Sequence, residues 1–338
     1  MTYSEVMACA PPDSIDVIIP ARGSPPWLEL SLKSIASQIR QPESISVIDD
    51  GLQLHTSICD VGKFYFGARF RLLKNQGSGI SAALNTAIQQ SSAEWIARMD
   101  ADDVAHPQRL KKQLEFLRAQ GDGVIGCGTQ VRFINSDGAV LGRSRLPTAW
   151  QEISRQIHCT TSFVHPSLMV RREMLLTTPY RPAMDGAEDV DLILRLAEQG
   201  KILNLDEPLL DYRLYHNQES FRARARHTAL QELAFRLARA RRNTGIDPLV
   251  GTPELAEKFV SWRLSDPTYV KTRCFLTAVR YMATHLRGRD AKGFTKLAIT
   301  GVKWLPVNSS SIRLAWRVAR RGGRALLDEA TPFAELNS

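Results

Sequence analysis

Nowhere does this 338-residue chain keep roughly 18 successive residues apolar, the run a helix needs to cross a bilayer. Its first twenty residues, MTYSEVMACAPPDSIDVIIP, lack a basic segment ahead of an unbroken apolar one, so neither a signal peptide nor a membrane span is expected. Cysteine is scarce: Cys9, Cys59, Cys127, Cys159 and Cys274 are odd in number, scattered and without CxxC spacing. That argues against a disulfide framework and a zinc site, and it fits a reducing, cytoplasmic setting. Cys127 and Cys159 have no basic neighbour in sequence to make a thiolate and are expected to be packing residues. A Walker lysine and a GxGxxG are both missing, which disfavours P-loop and dinucleotide-binding chemistry. No internal repeat or low-complexity tract appears.

What is present is 43% hydrophobic and 23% charged, the balance of a globular enzyme-sized chain. At this length folding buries about three quarters of the unfolded chain's surface, so no polar cluster is required to hold the fold together. The charge is uneven. Residues 1–212 hold 21 Lys and Arg against 25 Asp and Glu, whereas residues 213–338 hold 23 against 10, within a net charge of +9. A basic second region suits an anionic partner, or simply a solvated helical surface.

Short apolar runs alternate with helix-period stretches: Ile15–Ile19, Trp27–Ile39, Ile45–Ile48, Phe70–Leu73, Ile80–Ile88 and Trp95–Met99. This is a βαβ rhythm, and it predicts an α/β fold with a mostly parallel sheet and helices on both faces. In such sheets ligands bind outside the carboxyl ends of the strands. The residues there are Arg22, Asp49, Asp50, Asn75 and Asp100 to Asp103. Farther on, a helix is expected through Leu110, Leu114 and Leu117, a short strand within Gly121–Gly128, and a hairpin at Asn135–Gly138. Strands are then expected at Ser167–Val170, Ile202–Leu205 and Leu209–Leu214, with a helix at Val190–Ala197. Beyond Asn217 the segments 219–242, 253–263, 268–286 and 311–327 read as basic helices, which puts a boundary near residue 216.

The stretch Trp95-Ile96-Ala97-Arg98-Met99-Asp100-Ala101-Asp102-Asp103 is an apolar strand running into three carboxylates. Like charges so close repel, and burial at a sheet mouth raises the cost unless a cation or a donor compensates. Asp100 and Asp102 share one side of an extended backbone and can hold one hard ion, Mg²⁺ or Mn²⁺. A DxD alone also occurs as a solvated loop before a helix. Here Pro20-Ala21-Arg22-Gly23, Asp49-Asp50-Gly51 and Asn75 to Gly79 end the neighbouring strands, so polar and Gly-rich termini converge on one edge that suits a nucleotide diphosphate.

With these residues in place the chain resembles glycosyltransferase family 2, the inverting enzymes of GT-A fold that use nucleotide-diphospho-sugars. The resemblance runs from Ile15 to about Ser220 through DVIIPARG, SISVIDDG, NQGSGISAALNTAIQQSSAEWIARMDADDVAHPQRLKKQ, HPSLMVRRE, GAEDVDLILRL and LLDYRLYHNQES, in the family's order. It implies a Rossmann-like GT-A catalytic domain over 1–215, with a nucleotide-sugar half at about 14–104 and an acceptor half at about 105–215. A basic α-helical region at 216–338 follows. It also implies that Asp50 contacts the base with Asp49 beside it, that Pro20, Ala21 and Arg22 line the nucleoside pocket, and that Asn85 helps there. Asp100 and Asp102 match the metal and diphosphate motif, in which Arg98 and Ala101 also stand, with Asp103 positioning the sugar or supporting the turn. Two departures bear on base and sugar preference: Ala21-Arg22 stands where the family commonly has an aromatic and a polar residue, and Leu52 where it often has Ser. Arg22 suits a diphosphate contact or an outward salt bridge equally.

Glu188-Asp189-Val190-Asp191 precedes a helical pattern, where acids are ordinary because capping and the helix dipole favour them. By resemblance Asp189 is the general base that deprotonates the acceptor hydroxyl, and Glu188 orients the base or the acceptor. Asp191 is expected to cap the helix or pair with Arg195. Tyr212 to His216 resembles the family's YRxH ending, in which His216 would ligate the metal or steady the leaving group and Arg213 would lie toward the acceptor. His165 either faces the acceptor or is a buried, hydrogen-bonded histidine.

In the segment 311–327, Ile312, Ala315, Trp316 and Ala319 share one helical side and Arg313, Arg317, Arg320 and Arg321 the other. Such a helix can lie on an anionic membrane, in keeping with a lipid-linked acceptor and a peripheral position at the inner membrane face, or it can pack on the protein. Nucleic-acid binding is not expected, since no binding module or interleaved exposed aromatics accompany the charge. The leading expectation is transfer of a sugar from a nucleotide-diphospho-sugar to a glycan or lipid-linked glycan in cell-surface polysaccharide synthesis. Two alternatives remain: a sugar-phosphate nucleotidyltransferase, and a catalytically silent sugar-nucleotide or glycan-binding protein.

Overall fold

The structure, a computed structural model, describes residues 11–53, 55–121, 123–215 and 224–274, together with 284, 285 and 288. The predicted helix at 311–327 and His216 lie outside the described residues.

The first half alternates as expected: β1 (Ile15–Gly23), α1 (Leu28–Ala36), β2 (Ser44–Leu52), α2 (His55–Phe66), β3 (Phe70–Lys74), α3 (Gly79–Gln90) and β4 (Trp95–Arg98). Then come β5 (Val104–Ala105), α4 (Arg109–Arg118), β6 (Val124–Ile134), β7 (Val140–Arg143), α5 (Trp150–Gln156), β8 (Met169–Arg171), α6 (Arg172–Thr177), α7 (Glu188–Ala197) and β9 (Lys201–Arg213). Two helices follow, α8 (Arg224–Thr244) and α9 (Glu254–Leu264). The strand order is β3-β2-β1-β4-β8-β6-β9-β5, with β7 paired to β6. β1 to β4 pair in parallel, β6 and β9 run with them, and β8, β5 and β7 run against them, so the sheet is mostly parallel.

Both faces of the sheet are buried, which explains why its strands read as continuous Ile/Val runs rather than as alternation. Successive side chains go to opposite faces. Ile18, Ile48, Ile96 and Val170 join Ala83, Leu84, Ala87 and Ile88 of α3 and Leu192 and Leu196 of α7. Val17, Ile19, Ile45, Val47, Trp95 and Ala97 join Leu32 and Ile35 of α1 and Leu110, Leu114 and Leu117 of α4. The basic helices contribute to the first of these cores: Ala229, Leu230, Leu233, Ala234 and Leu237 of α8 and Ala256 and Val260 of α9 lie in the same cluster as α7.

Three helices were not legible in the sequence. α2 carries Gly62 and several β-branched and aromatic residues, which are weak helix formers, and tertiary contact decides it: a Cβ at Gly62 would overlap the Phe70 ring. α5 and α6 are only 7 and 6 residues long. β9 forms one 13-residue strand where two were expected. Pro208, which donates no hydrogen bond, is accommodated opposite Gln130, where the β6–β9 register shifts. The hairpin turn is as expected, with Asn135 Oδ1 accepting from the N–H groups of Asp137 and Ala139 and Gly138 at φ +87. Cys127 is buried, as expected of a packing residue, and burial pushes its thiol up to about 12; Cys159 is exposed, contrary to the same expectation.

Candidate active site

At the carboxyl end of β1 and β2, Pro20 sits beside Ile48 and Ala21 beside Asp49, after which the pairing becomes irregular. Asp49 turns its carboxylate inward, Oδ1 accepting from the N–H groups of Gly51 (2.9 Å) and Leu52 (2.6 Å), so it shapes the turn that Gly51 makes at φ +92. Asp50 is held differently. Its Oδ1 accepts from Asn75 Nδ2 (2.7 Å) and from Gly79 N–H at the start of α3 (3.1 Å), while Oδ2 has no partner among the described residues. One oxygen thus fixes the side chain and the other carries no hydrogen bond among the described residues. Arg22 is exposed and makes no salt bridge among the described residues. Asn85 lies elsewhere than expected: its Nδ2 donates to Tyr180 O (2.8 Å) and its Oδ1 accepts from Tyr180 N (3.0 Å). Both ends of the amide thus tie α3 to the loop before α7.

β4 delivers the acidic turn. Met99 N–H still bonds Ile18 O (3.0 Å), and the chain then leaves the sheet with Ser31 Oγ donating to Asp100 O (3.0 Å). Carboxylate oxygens of Asp100, Asp102 and Asp103 lie within 4.8 Å of one another, with half-buried Ala101 between them. Three buried guanidinium groups surround the turn. Arg98 Nη1 stands 2.6 Å from Asp100 Oδ2. Arg109, 1% exposed, donates to Arg98 O (2.7 Å). Arg213 donates from Nε to Asp102 O (2.8 Å), from Nη1 to Asn135 O (3.0 Å) and from its backbone N–H to Asp103 Oδ1 (2.9 Å). Arg213 therefore clamps the acidic turn.

These guanidiniums do not satisfy the acids completely. Burial and then Asp100 push Asp102 up to about 6, against a hydrogen bond from Tyr215 that lowers it. Burial and then its two acidic neighbours hold Asp103 well above the usual carboxylate range. Asp103 Oδ2 is buried with no hydrogen-bond partner. An orphaned carboxylate oxygen within a set of three hard oxygen donors fits Mg²⁺ or Mn²⁺.

The second acid group opens α7. Gly186 adopts φ +107, and a Cβ there would run into the His227 ring, so only glycine lets the chain turn into the helix at this point. Glu188 folds back to accept from Gly186 N–H (2.8 Å). Burial and then Asp189 push its carboxyl up to about 8. Asp189 is half-buried, with Oδ1 accepting from Val190 N–H (2.8 Å). Asp191 pairs with Arg195 as expected (2.9 Å) and also with Arg181, which continues to Asp247 (2.7 Å) and so ties α7 to the chain between α8 and α9.

Between the two acid groups lie Arg98 and Tyr180. The Arg98 charge acts on Asp100 and on Glu188, and Tyr180 feels Arg98, Glu188 and Asp189. The Tyr180 hydroxyl is 2.8 Å from His165 Nε2, and both residues are buried, so His165 is the hydrogen-bonded core histidine of its two readings. Burial and then Arg98 hold His165 well below its usual range. A third acid, Asp185, accepts from Ser81 N–H (3.1 Å) and interacts with Asp50. The sequence gives no signal for Asp185, Tyr180, Trp27 or Tyr215, whose roles arise from contacts across 100 residues or more of chain in several cases.

The architecture, with acids at its carboxyl edge, is that of a GT-A fold. The structure of S. aureus TarS 1–349 in complex with UDP-GlcNAc has the same fold, with a TM-score of 0.51 at 15% identity over 87% of this chain and 93% of that one. Residues 16–177 match Glycosyl transferase family 2, the family that the sequence resembles, and with the relatives that follow this supports a glycosyltransferase. It is 29% identical over 213 residues to the O-antigen biosynthesis glycosyltransferase WbnJ of Escherichia coli, covering 62% of this chain and 82% of that protein. It is 26% identical to an uncharacterized glycosyltransferase of Haemophilus influenzae, over 76% of this chain and 95% of the relative. Among the described residues, no helix is long and apolar enough to cross a membrane.

Proposed function

We propose that this glycosyltransferase transfers a sugar, with inversion, from a nucleotide-diphospho-sugar to a hydroxyl of a glycan or lipid-linked glycan in cell-surface polysaccharide synthesis. The observation that carries the proposal is the convergence on one sheet edge of three differently prepared acids: Asp50 with one oxygen open, the Asp100/Asp102/Asp103 turn with an orphaned oxygen, and half-buried Asp189 at the start of α7. The surface-glycan assignment leans on the O-antigen relative, and a nucleotide-linked sugar donor agrees with the UDP-GlcNAc held by TarS.

In this reading Asp50 accepts from the base or the ribose, with Pro20 and Ala21 as the adjoining wall. Asp100, Asp102 and Asp103 hold a divalent cation, which when bound neutralises the diphosphate. Asp189 takes the proton of the acceptor hydroxyl as its oxygen bonds to the anomeric carbon from the side opposite the departing diphosphate, and the anomeric carbon–oxygen bond to that diphosphate breaks. The configuration inverts. Glu188, holding its own proton near neutral pH, orients rather than competes for the acceptor's proton. Arg98 and Arg213 keep the acidic turn in place.

The test is release of nucleotide diphosphate from a panel of UDP-, GDP- and dTDP-sugars with Mn²⁺ or EDTA, with the product's anomeric configuration read by NMR. Metal-dependent release from one donor with inverted product is expected. No release from the panel, with pyrophosphate released from a nucleoside triphosphate and a sugar 1-phosphate, would mark a nucleotidyltransferase, and donor binding without release across many acceptors would mark a silent binding protein.

A further inference from the structure

The backbone of Arg98 is fixed at both ends: its N–H donates to Leu168 O (2.9 Å) and its carbonyl accepts from Arg109 Nη2 (2.7 Å). Side chains alternate along β4, so Arg98 follows Ile96 to the sheet face that α3 and α7 cover. It is 5% exposed there, and its Nη1 stands 2.6 Å from Asp100 Oδ2 without the alignment of a hydrogen bond. Nε and Nη1 are both buried with no hydrogen-bond partner. Arg109 differs, because its donors reach Gln113 Oε1 (3.0 Å), Met99 Sδ (3.3 Å) and Arg98 O. The acidic turn thus leaves two buried needs of opposite sign unmet, the N–H groups of Arg98 and the Oδ2 of Asp103.

We propose that Arg98 couples cation binding to diphosphate binding: it is the counter-ion of Asp100 until a cation takes that carboxylate, and the diphosphate then becomes its partner. The inference rests on the function proposed above. A hard cation sits about 2.1 Å from a ligating oxygen, so one that shared Asp100 Oδ2 with Arg98 would lie within about 5 Å of the guanidinium nitrogen. Like charges at that separation repel, and burial limits the screening. A cation alone therefore disrupts an ion pair and leaves a buried guanidinium without its partner, which opposes binding. A diphosphate removes the conflict, since its oxygens accept from Arg98 while they neutralise the cation. Cation and diphosphate together meet both unmet needs of the turn, so each binds more tightly with the other present, by the same factor in both directions.

Arg98→Gln and Arg98→Met remove the charge, one with a polar and one with an apolar side chain, and Arg98→Lys keeps it. Mn²⁺ is titrated by EPR into the full-length wild type and the three variants, without and with UDP, at a pH well above the value to which Asp102 is pushed, with circular dichroism and thermal melts on each. The neutral variants are expected to bind Mn²⁺ alone about tenfold more tightly than the wild type and to lose most of the gain that UDP gives, while Arg98→Lys behaves as the wild type. Folded neutral variants with wild-type or weaker affinity for Mn²⁺ alone, or with an undiminished gain from UDP, overturn the coupling and leave the proposed function standing. So does an Arg98→Lys variant that matches the neutral ones, because charge would then not be the cause, and so does loss of the fold in both neutral variants, which would make Arg98 a structural counter-ion. A wild type that takes up no Mn²⁺ even with UDP overturns the cation reading and the coupling together.

Discussion

The chain packs three acids into four residues twice, after β4 as Asp100, Asp102 and Asp103 and at the start of α7 as Glu188, Asp189 and Asp191, and the two groups are neutralised in different ways. At the first, guanidinium groups spend most of their hydrogen bonds on backbone carbonyls, and a buried carboxylate oxygen is left unpartnered. At the second, Asp191 is paired by two arginines, Glu188 is pushed up to about 8, and Asp189 stays half-buried. Under the proposed function equal acid density serves two chemistries: the β4 turn, with its unpartnered carboxylate oxygen, is assigned the cation, and the α7 turn, whose Asp191 is paired and whose Glu188 is pushed up, leaves Asp189 to take up a proton.

Substitutions separate the two. Asp189→Asn should lower turnover by about 10²–10⁴-fold while leaving donor affinity intact, measured by steady-state release and calorimetry on the same preparation. Asp191→Asn acts on the fold instead: it leaves Arg181 and Arg195 short of a buried partner and should cost about 3 kcal/mol, read from urea denaturation. Asp102 gives the pH dependence. Its raised value, about 6, means that the proton is held to higher pH than in a free aspartate and competes with the cation below that point. Mn²⁺ affinity should therefore climb between about pH 5 and pH 7 and level off above, and a flat profile over that window would remove the β4 turn from cation binding. The smallest effect belongs to Glu188→Gln. Because Glu188 already carries its proton at pH 7, the variant should keep turnover within about threefold there and diverge from the wild type above about pH 8.

The sequence displays the strands, the acids at their ends and the order of the motifs, because burial on both sheet faces writes itself as Ile/Val runs and because motif residues are adjacent in the chain. Compensation is harder to read. Like-charge repulsion in Asp100–Asp103 pointed to a cation, yet Arg98, Arg109 and Arg213 supply three positive charges to the same turn, and Arg213 comes from 110 residues beyond Asp103. Asn85 looked like a pocket residue because it lies within a matching stretch; its amide faces Tyr180, 95 residues away, which no local pattern encodes. The same holds for α2, where Phe70 against Gly62 outweighs poor helix propensity.

The most direct test of the division between the two acid groups is donor affinity in the presence of Mn²⁺ for Asp102→Asn and Asp189→Asn, measured calorimetrically against wild type with the donor that the release panel identifies. The division predicts that Asp102→Asn loses donor binding and that Asp189→Asn binds as wild type does. Loss of binding in Asp189→Asn with retention in Asp102→Asn, or equal loss in both, would contradict it.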